Sequence, residues 1–190
     1  MEKTLVVLKP DAVKRGLIGQ IITRFENVGL TIVGVKLVTA KKELVEKHYP
    51  ADRKELWVGI GNKTLENYKS FDIDPKGSLG TDDPKEIGDM VRVWLMDYIM
   101  EGPVLALVLQ GPHAVELVRK IAGHTLPLIA APGTIRGDFS FDSSYLANSN
   151  KRPIKNLIHA SGNKEEAEYE IPLWFTKEEI HEYKRSADVI

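Results

Sequence analysis

The run Val104-Leu105-Ala106-Leu107-Val108-Leu109 constrains the fold of this chain more than any other segment. It is continuously apolar, it follows the breaker pair Gly102-Pro103, and it reads as a strand at the centre of a sheet. Thr4-Leu5-Val6-Val7-Leu8 is a second apolar run, and Lys9-Pro10-Asp11 ends it because Pro10 has no N–H to give to a ladder. Leu30 to Val38 reads as a further strand, and Asn156 to His159 as a short one.

Between these runs the period changes. Ile18, Ile21, Ile22 and Phe25 recur at i, i+3, i+4 and i+7, one apolar face of a helix for which Gly29 is a stop. Val115, Val118 and Ile121 give a helix over Ala114 to Ile121, and Lys41 to His48 reads as a short charged helix. Asp83-Pro84 suits a helix start, after which Ile87, Val91, Trp94, Leu95 and Tyr98 follow at helical spacing. Pro50 to about Asp89 is otherwise rich in Gly, Pro, Asp and Lys with weak periodicity, and is expected to be irregular. Gly123 to Asp138 reads as a long loop. Ser161 is the expected N-cap of a helix from about Gly162 to Glu170, with Glu165 and Glu166 in its first turns. Thr176-x-x-Glu179 has capping-box spacing. The order β-α-β, insertion and helix, then β-α-β predicts an α+β fold. This is the ferredoxin-like split βαβ, with helices packed on a four-stranded antiparallel sheet in one domain over residues 1–190.

Composition removes several function classes. A net charge of −1 gives no global attraction to nucleic acid or membrane, so any anion site must be built locally. The absence of cysteine excludes disulfides, thiolate metal sites and a cysteine nucleophile. No apolar run approaches the roughly 20 residues that span a bilayer. Met1-Glu2-Lys3-Thr4 passes into a strand without a signal peptide, so the cytoplasm is the expected compartment.

No Gly-x-x-x-x-Gly-Lys-Ser/Thr or Gly-x-Gly-x-x-Gly phosphate cradle occurs. Gly59-Ile60-Gly61-Asn62-Lys63-Thr64 fits neither spacing and lies in the irregular segment. Groups that could neutralise phosphate come instead from scattered positions. These are Lys9 at the end of the first strand, Arg119 on a helix, Thr125 six residues on, and Arg136 in Gly133-Thr134-Ile135-Arg136-Gly137-Asp138. Singly, each has an ordinary reading: Arg119 as a solvated helix charge, Lys9 as a strand-end charge, Arg136 as a partner of Asp138. His159, in Asn156-Leu157-Ile158-His159-Ala160-Ser161, is by type a nucleophile or proton carrier, but a lone histidine ending an apolar run is more often structural.

Taken together these residues resemble the nucleoside diphosphate kinase family. The matching pieces are Leu8-Lys9-Pro10-Asp11-Ala12-Val13 with Arg15-Gly16-Leu17-Ile18-Gly19, Arg24-Phe25-Glu26, His48-Tyr49 and Gly102-Pro103-Val104. Arg119 with Gly123-x-Thr125-x-Pro127, Pro132 to Phe139, Asn156 to Ser161 and Glu170-Ile171-x-Leu173-Trp174-Phe175 follow in the family's order. The resemblance implies transfer of a nucleoside triphosphate's γ-phosphate to His159 and then to a nucleoside diphosphate, a ping-pong reaction through phosphohistidine. Glu170 would orient the imidazole and Ser161 would assist. Arg119, Thr125 and Arg136 would hold phosphates, with Tyr49 near them, and Lys9 and Asn156 would contact ribose and phosphate. Mg²⁺ would be the cofactor, held mainly by the nucleotide rather than by a carboxylate cage. Neutral imidazole attacks, so activity should fall in acid, about pH 6.5 for an unperturbed ring.

Three departures from the family pattern stand out. Segments at about 50–89 and 141–153 read as insertions, the first expected beside the nucleotide cleft and the second looping out at the site mouth or a subunit contact. The family's base-stacking Phe falls within the first of these. Counting back from Gly102 gives Val91, with Leu95 beside it, and Trp57 or Trp94 as alternative rings. Gly162 stands where the family has Asp. The family implies a homo-oligomer, most often a hexamer, sometimes a tetramer or dimer. The rival readings are a non-catalytic nucleotide-binding or regulatory module on the same fold, and a nucleic-acid binder, which the near-neutral charge disfavours.

Overall fold

In the computed structural model, which describes residues 1–185, strand β3 (Val104–Gly111) lies between two neighbours. It pairs antiparallel with β1 (Glu2–Leu8), from Glu2 opposite Gly111 to Leu8 opposite Leu105. On its other side it pairs antiparallel with β2 (Thr31–Val38), whose register shifts between Ile32 and Gly34. A three-residue strand, β4 (Ile158–Ala160), takes the remaining edge of β1, giving the order β2-β3-β1-β4. This is the expected four-stranded antiparallel sheet of the ferredoxin-like α+β fold.

The central strands read as unbroken apolar runs because both faces of the sheet are covered. Val6, Leu8, Leu105, Leu107 and Leu109 point to one side, against Ile21, Phe25, Val118 and Ile135. Leu5, Val7, Ala106 and Val108 point to the other, against Val45, Met96, Ile99, Trp174 and Phe175. The first cover is α2 (Ile18–Asn27) and α7 (Ala114–Ala122), which follow α1 (Pro10–Lys14) in the fold. The second is α3 (Lys42–His48), α6 (Pro84–Met100) and α10 (Lys164–Trp174). Each fully buried Leu, Ile or Phe contributes about 1.5–3 kcal/mol, so the period-2 division between faces fixes the register.

The segment expected to be irregular is largely helical. It holds α4 (Lys54–Ser70), α5 (Pro75–Leu79) and the start of α6, which Asp83 caps by accepting from Lys85 N at 2.8 Å. A Cβ on Gly61 would fall on the carbonyl of Pro84, and one on Gly88 on the carbonyl of Trp57. The two helices therefore meet through backbone at two glycines. A contact of that kind leaves only a weak apolar period in the sequence, which is why the segment reads as loop. The Gly59–Thr64 stretch lies inside α4, not in a phosphate loop.

The segment 141–153 does not loop out either. It forms α9 (Ser144–Ser149), whose Ser144 Oγ donates to Asn67 Oδ1 at 3.2 Å, while the Tyr68 hydroxyl donates to the Asn148 carbonyl at 3.3 Å. The loop from Gly123 to Asp138 contains a single 3-10 turn, Pro127–Ile129, and the start of α8 (Ile135–Phe139). Two further corrections lie near the C-terminal strand. Asn156 and Leu157 precede β4 rather than belonging to it, with Leu157 at φ 68°. Asn163, not Ser161, caps α10, its side chain accepting from Glu166 N at 2.8 Å. The capping box of Thr176 and Glu179 is present on one 3-10 turn.

Candidate active site

His159 sits opposite Val7 on β4, the sheet's short edge strand, and so shares the face covered by α3 and α10. The approach to β4 is held on several sides. Leu157 N donates to Asp11 Oδ2 at 3.2 Å, and Lys9 N donates to the Leu157 carbonyl at 2.8 Å. Arg136 is buried beneath. Its Nε donates to the Asn156 carbonyl at 3.1 Å, one terminal nitrogen to Gly123 at 2.8 Å and the other to Ile158 at 2.7 Å. A guanidinium has five N–H donors, so these three bonds fix Arg136 and leave two donors for an anion.

The His159 Nε2 lies 2.9 Å from Glu170 Oε1 and 3.1 Å from Oε2. The Ser161 hydroxyl donates to Glu170 Oε2 at 2.7 Å and accepts from Leu5 N at 3.3 Å, so it locks the carboxylate to β1. Ser161 thus bonds Glu170, while the helix takes Asn163, two residues beyond it, as its cap. Burial alone would raise the Glu170 carboxyl, but the charge and hydrogen bond of His159, with His48 and Ser161, outweigh it and hold it at about 2. An ionised carboxylate can only accept, so Nε2 carries a hydrogen, and in the uncharged tautomer the ring's lone pair is on Nδ1.

Lys9 and Asn156 form the second half of the site. Lys9 Nζ donates to Asn156 Oδ1 at 2.7 Å, and Asn156 Nδ2 donates to the Thr125 carbonyl at 3.0 Å. Burial, then the nearby Arg136 charge, lowers the Lys9 ammonium from 10.5 to about 7 against the pull of Asp11. Arg136 is lowered to about 10 by burial and then by the charge of Arg119, which places that exposed residue beside it. Gly123 makes the connection possible: at φ 82° it turns the chain off α7 where a Cβ would strike Thr134. The arrangement is a row of cationic groups beside an imidazole, suited to binding an anionic group.

The structure thus gathers His159, Glu170 and Ser161 in one cluster and Lys9, Asn156, Thr125, Arg136 and Arg119 in an adjoining one. Tyr49 joins the first through the His48 ring, 4.7 Å away between centroids, and burial followed by the Glu170 charge raises its hydroxyl above the usual range. Val91 and Leu95 are half-buried on α6, a helix tied to this region by Arg92 Nε, which donates to the Tyr49 carbonyl at 2.6 Å. Trp94, on the same helix, lines a cavity of about 330 Å³ with Tyr98, Arg152, Pro153 and Lys155. Tyr98 leads from there to Lys9, whose Nζ lies 5.1 Å from the ring centroid.

Sequence reasoning assigned no role to His48, Asp11 or Tyr98. His48 is 5% exposed and packs edge-on to His159 with centroids 4.5 Å apart, and its Nδ1 accepts from Trp174 Nε1 at 3.3 Å. The pair His48-Tyr49 carries part of the family resemblance, but nothing in the local pattern shows that His48 faces inward. The metal-capable groups among the described residues reduce to His48, His159 and Glu170, a set rich in nitrogen. That donor set does not suit Mg²⁺, a hard cation that takes oxygen ligands.

Comparison with known proteins points one way. The family model described as nucleoside diphosphate kinase matches residues 2–58 and 92–180. A nucleoside diphosphate kinase of Pyrobaculum aerophilum is 50% identical over 183 residues, covering 96% of this chain and 99% of that protein. The crystal structure of an NDP kinase from Pyrobaculum aerophilum superposes with a TM-score of 0.92 at 49% identity, covering 95% of this chain and 99% of that one. A transition-state mimic of nucleoside-diphosphate kinase from Borrelia burgdorferi, with bound vanadate and ADP, gives a TM-score of 0.79 at 37% identity, covering 98% and 94%.

Proposed function

The chain belongs to the nucleoside diphosphate kinase family and is a nucleotide phosphotransferase; from that premise we propose that His159 carries the phosphoryl group from a nucleoside triphosphate to a nucleoside diphosphate. The observation that carries this reading is the bond from His159 Nε2 to the ionised Glu170, because it puts the free lone pair on Nδ1. In the first half-reaction Nδ1 attacks the γ-phosphorus in line. The N–P bond forms as the bond to the β,γ-bridging oxygen breaks, and the diphosphate leaves with that electron pair. The ring is then cationic, and Glu170 stabilises it through the Nε2 hydrogen. In the second half a terminal oxygen of the incoming diphosphate attacks the same phosphorus and returns the ring to neutrality.

Lys9, Arg119 and Arg136 supply the charge that a metaphosphate-like transfer needs, and Thr125 and Asn156 set the ends of the phosphate row. Glu170, Ser161 and Tyr49 frame the imidazole. Mg²⁺, which neutralises phosphate oxygens, would enter with the nucleotide, since the cleft offers it cations and a nitrogen-rich pocket. The base would lie in the cavity beside Tyr98, with Trp94 the available ring and Val91 and Leu95 on the helix behind. We read 50–89 and 141–153 as insertions; the second supplies Lys151, Arg152 and Pro153 to that cavity, whereas none of the lining residues comes from the first. Residues 59–91 fall outside the family match. A homo-oligomer, with a hexamer as the family expectation, is supported by exposed Val35, Leu37, Leu128 and Ile129. No described helix is long and apolar enough to cross a membrane.

Incubation with [γ-³²P]ATP tests the reading. Wild-type protein is expected to take up an acid-labile, alkali-stable label, pass it to GDP on chase, and lose it in His159→Ala. A wild-type protein that stays unlabelled contradicts it.

A further inference from the structure

Phosphate transfer gives His48 no task, yet His48 is buried against the nucleophile. Its Nδ1 lies 3.7 Å from Glu170 Oε1, which is itself 2.9 Å from His159 Nε2. One ligand atom from each of these three side chains falls within 4.8 Å of the others. We propose that His48, His159 and Glu170 form a binding site for a zinc-type divalent cation, and that its occupancy disables the nucleophile.

Two imidazoles and a carboxylate are a donor set that zinc takes tetrahedrally, with water in the fourth position. Zinc bonds of about 2.0–2.2 Å place neighbouring ligand atoms roughly 3.3 Å apart. The two separations from Glu170, 2.9 and 3.7 Å, straddle that value, and all three ligand atoms lie within 4.8 Å, so closure draws the two imidazoles together around the carboxylate. The set also discriminates: Mg²⁺ prefers all-oxygen coordination and keeps its water, so millimolar Mg²⁺ does not fill the site.

The protonation states favour the ion. Glu170 is already ionised, and burial holds His48 neutral, lowered to about 3, so neither must shed a proton. His48 Nδ1 gives up only the long 3.3 Å bond from Trp174, and its other nitrogen, Nε2, is buried without a partner among the described residues. The Glu170 carboxylate offsets part of the ion's charge, while Lys9 and Arg53, both of which act on His48, oppose it.

The consequence follows from the tautomer. A cation on His159 Nε2 displaces the hydrogen there, and the neutral ring keeps its one proton at Nδ1. No proton is released overall, but Nδ1 has lost the lone pair that attacks phosphorus. The cations of the phosphate row are untouched, so nucleotide still binds. Inhibition is therefore non-competitive with nucleotide. The effect on activity rests on His159 being the phosphate carrier; the binding of the cation does not.

Co²⁺ titrated into the full chain without Mg²⁺ reads the site directly through the visible bands of a tetrahedral cobalt centre. One equivalent with such bands, displaced by Zn²⁺, is expected for wild type. His48→Phe, with His48→Asn as a second variant should the first fail to fold, should bind at least tenfold more weakly. With Mg²⁺–nucleotide present and free zinc buffered, zinc should abolish phosphohistidine labelling in wild type reversibly on chelation, and act at least tenfold more weakly on His48→Phe. A wild type that shows no tetrahedral cobalt spectrum overturns the proposal. So does an equal cobalt affinity in the His48 variants, which places the ion elsewhere. Cobalt lost with His48 but labelling undisturbed by zinc overturns the inhibitory role and counts against His159 as carrier, not against the site.

Discussion

Glu170 reaches back from α10 to His159 on β4 with a bond of 2.9 Å, and the same carboxylate takes the Ser161 hydroxyl at 2.7 Å. One carboxylate thus fixes the ring's tautomer and ties the strand of His159 to the helix behind it. Replacing Glu170 by Gln removes the charge that stabilises the ring as it becomes cationic. A charged hydrogen bond of this kind contributes about 1.5–3 kcal/mol. Phosphohistidine formation in Glu170→Gln, measured by rapid quench, should therefore slow by about 10- to 100-fold, since each 1.4 kcal/mol is tenfold. The nucleotide KM should change much less.

The same residue gives a pH prediction. Glu170 is held at about 2 against an ordinary value of 4.5, so the unfolded chain binds its proton more readily. Its contribution to stability is complete above about pH 4.5 and is lost as pH falls through 2. Urea unfolding at steps from pH 6 to 3 should show this loss in wild type and a smaller one in Glu170→Gln.

Lys9 has the opposite character. In the resting protein it is charged below about 7 and increasingly neutral above, whereas bound phosphate favours the charged form. Binding of ADP between pH 7 and 9 should take up a proton, seen as a buffer-dependent enthalpy in calorimetry, and Lys9→Met should abolish the uptake. Because its folded value lies below 10.5, Lys9 also makes stability rise with pH from 7 to 10.5, and Lys9→Met should flatten that rise.

The fold was legible where side chains meet side chains. Ile18 to Phe25, Val104 to Leu109 and Asp83-Pro84 all present apolar spacing or capping chemistry that one segment displays alone. The failures have a common cause. α4 and α6 meet through Gly61 and Gly88, and Ser161 bonds Glu170, nine residues on, while Asn163 takes the cap. Neither backbone contact nor the call of a distant carboxylate is written in local pattern. The set of residues that the fold gathers around His159 and Lys9 followed from residue types in family order. The inward packing of His48 did not, because burial depends on α10 lying over α3.

Gly61→Ala and Gly88→Ala test the helix contact. Overpacking of this kind costs about 1–3 kcal/mol, or roughly 2–10 °C in Tm for a chain of this size. Gly59, also in α4, has open space around its missing Cβ, so Gly59→Ala should raise stability by about 0.5–1 kcal/mol. Thermal melts of the three variants separate contact from helix propensity.

The Trp94 cavity makes a prediction about substrate affinity. Trp94→Ala should raise KM for all nucleoside diphosphates by about 5- to 100-fold, the range of about 1–3 kcal/mol for stacking a base on an aromatic ring. Phosphorylation of saturated enzyme should be little changed. An unaltered KM would move the base away from this wall.

Glu170 holds Nε2 of His159, so the phosphate is expected on Nδ1. Phosphorus–nitrogen correlation by NMR on ¹⁵N-histidine-labelled phosphoenzyme identifies the bonded nitrogen. Phosphorus coupled to Nδ1 of one histidine, absent in His159→Ala, is the predicted result; coupling to Nε2, or to another residue, would contradict it.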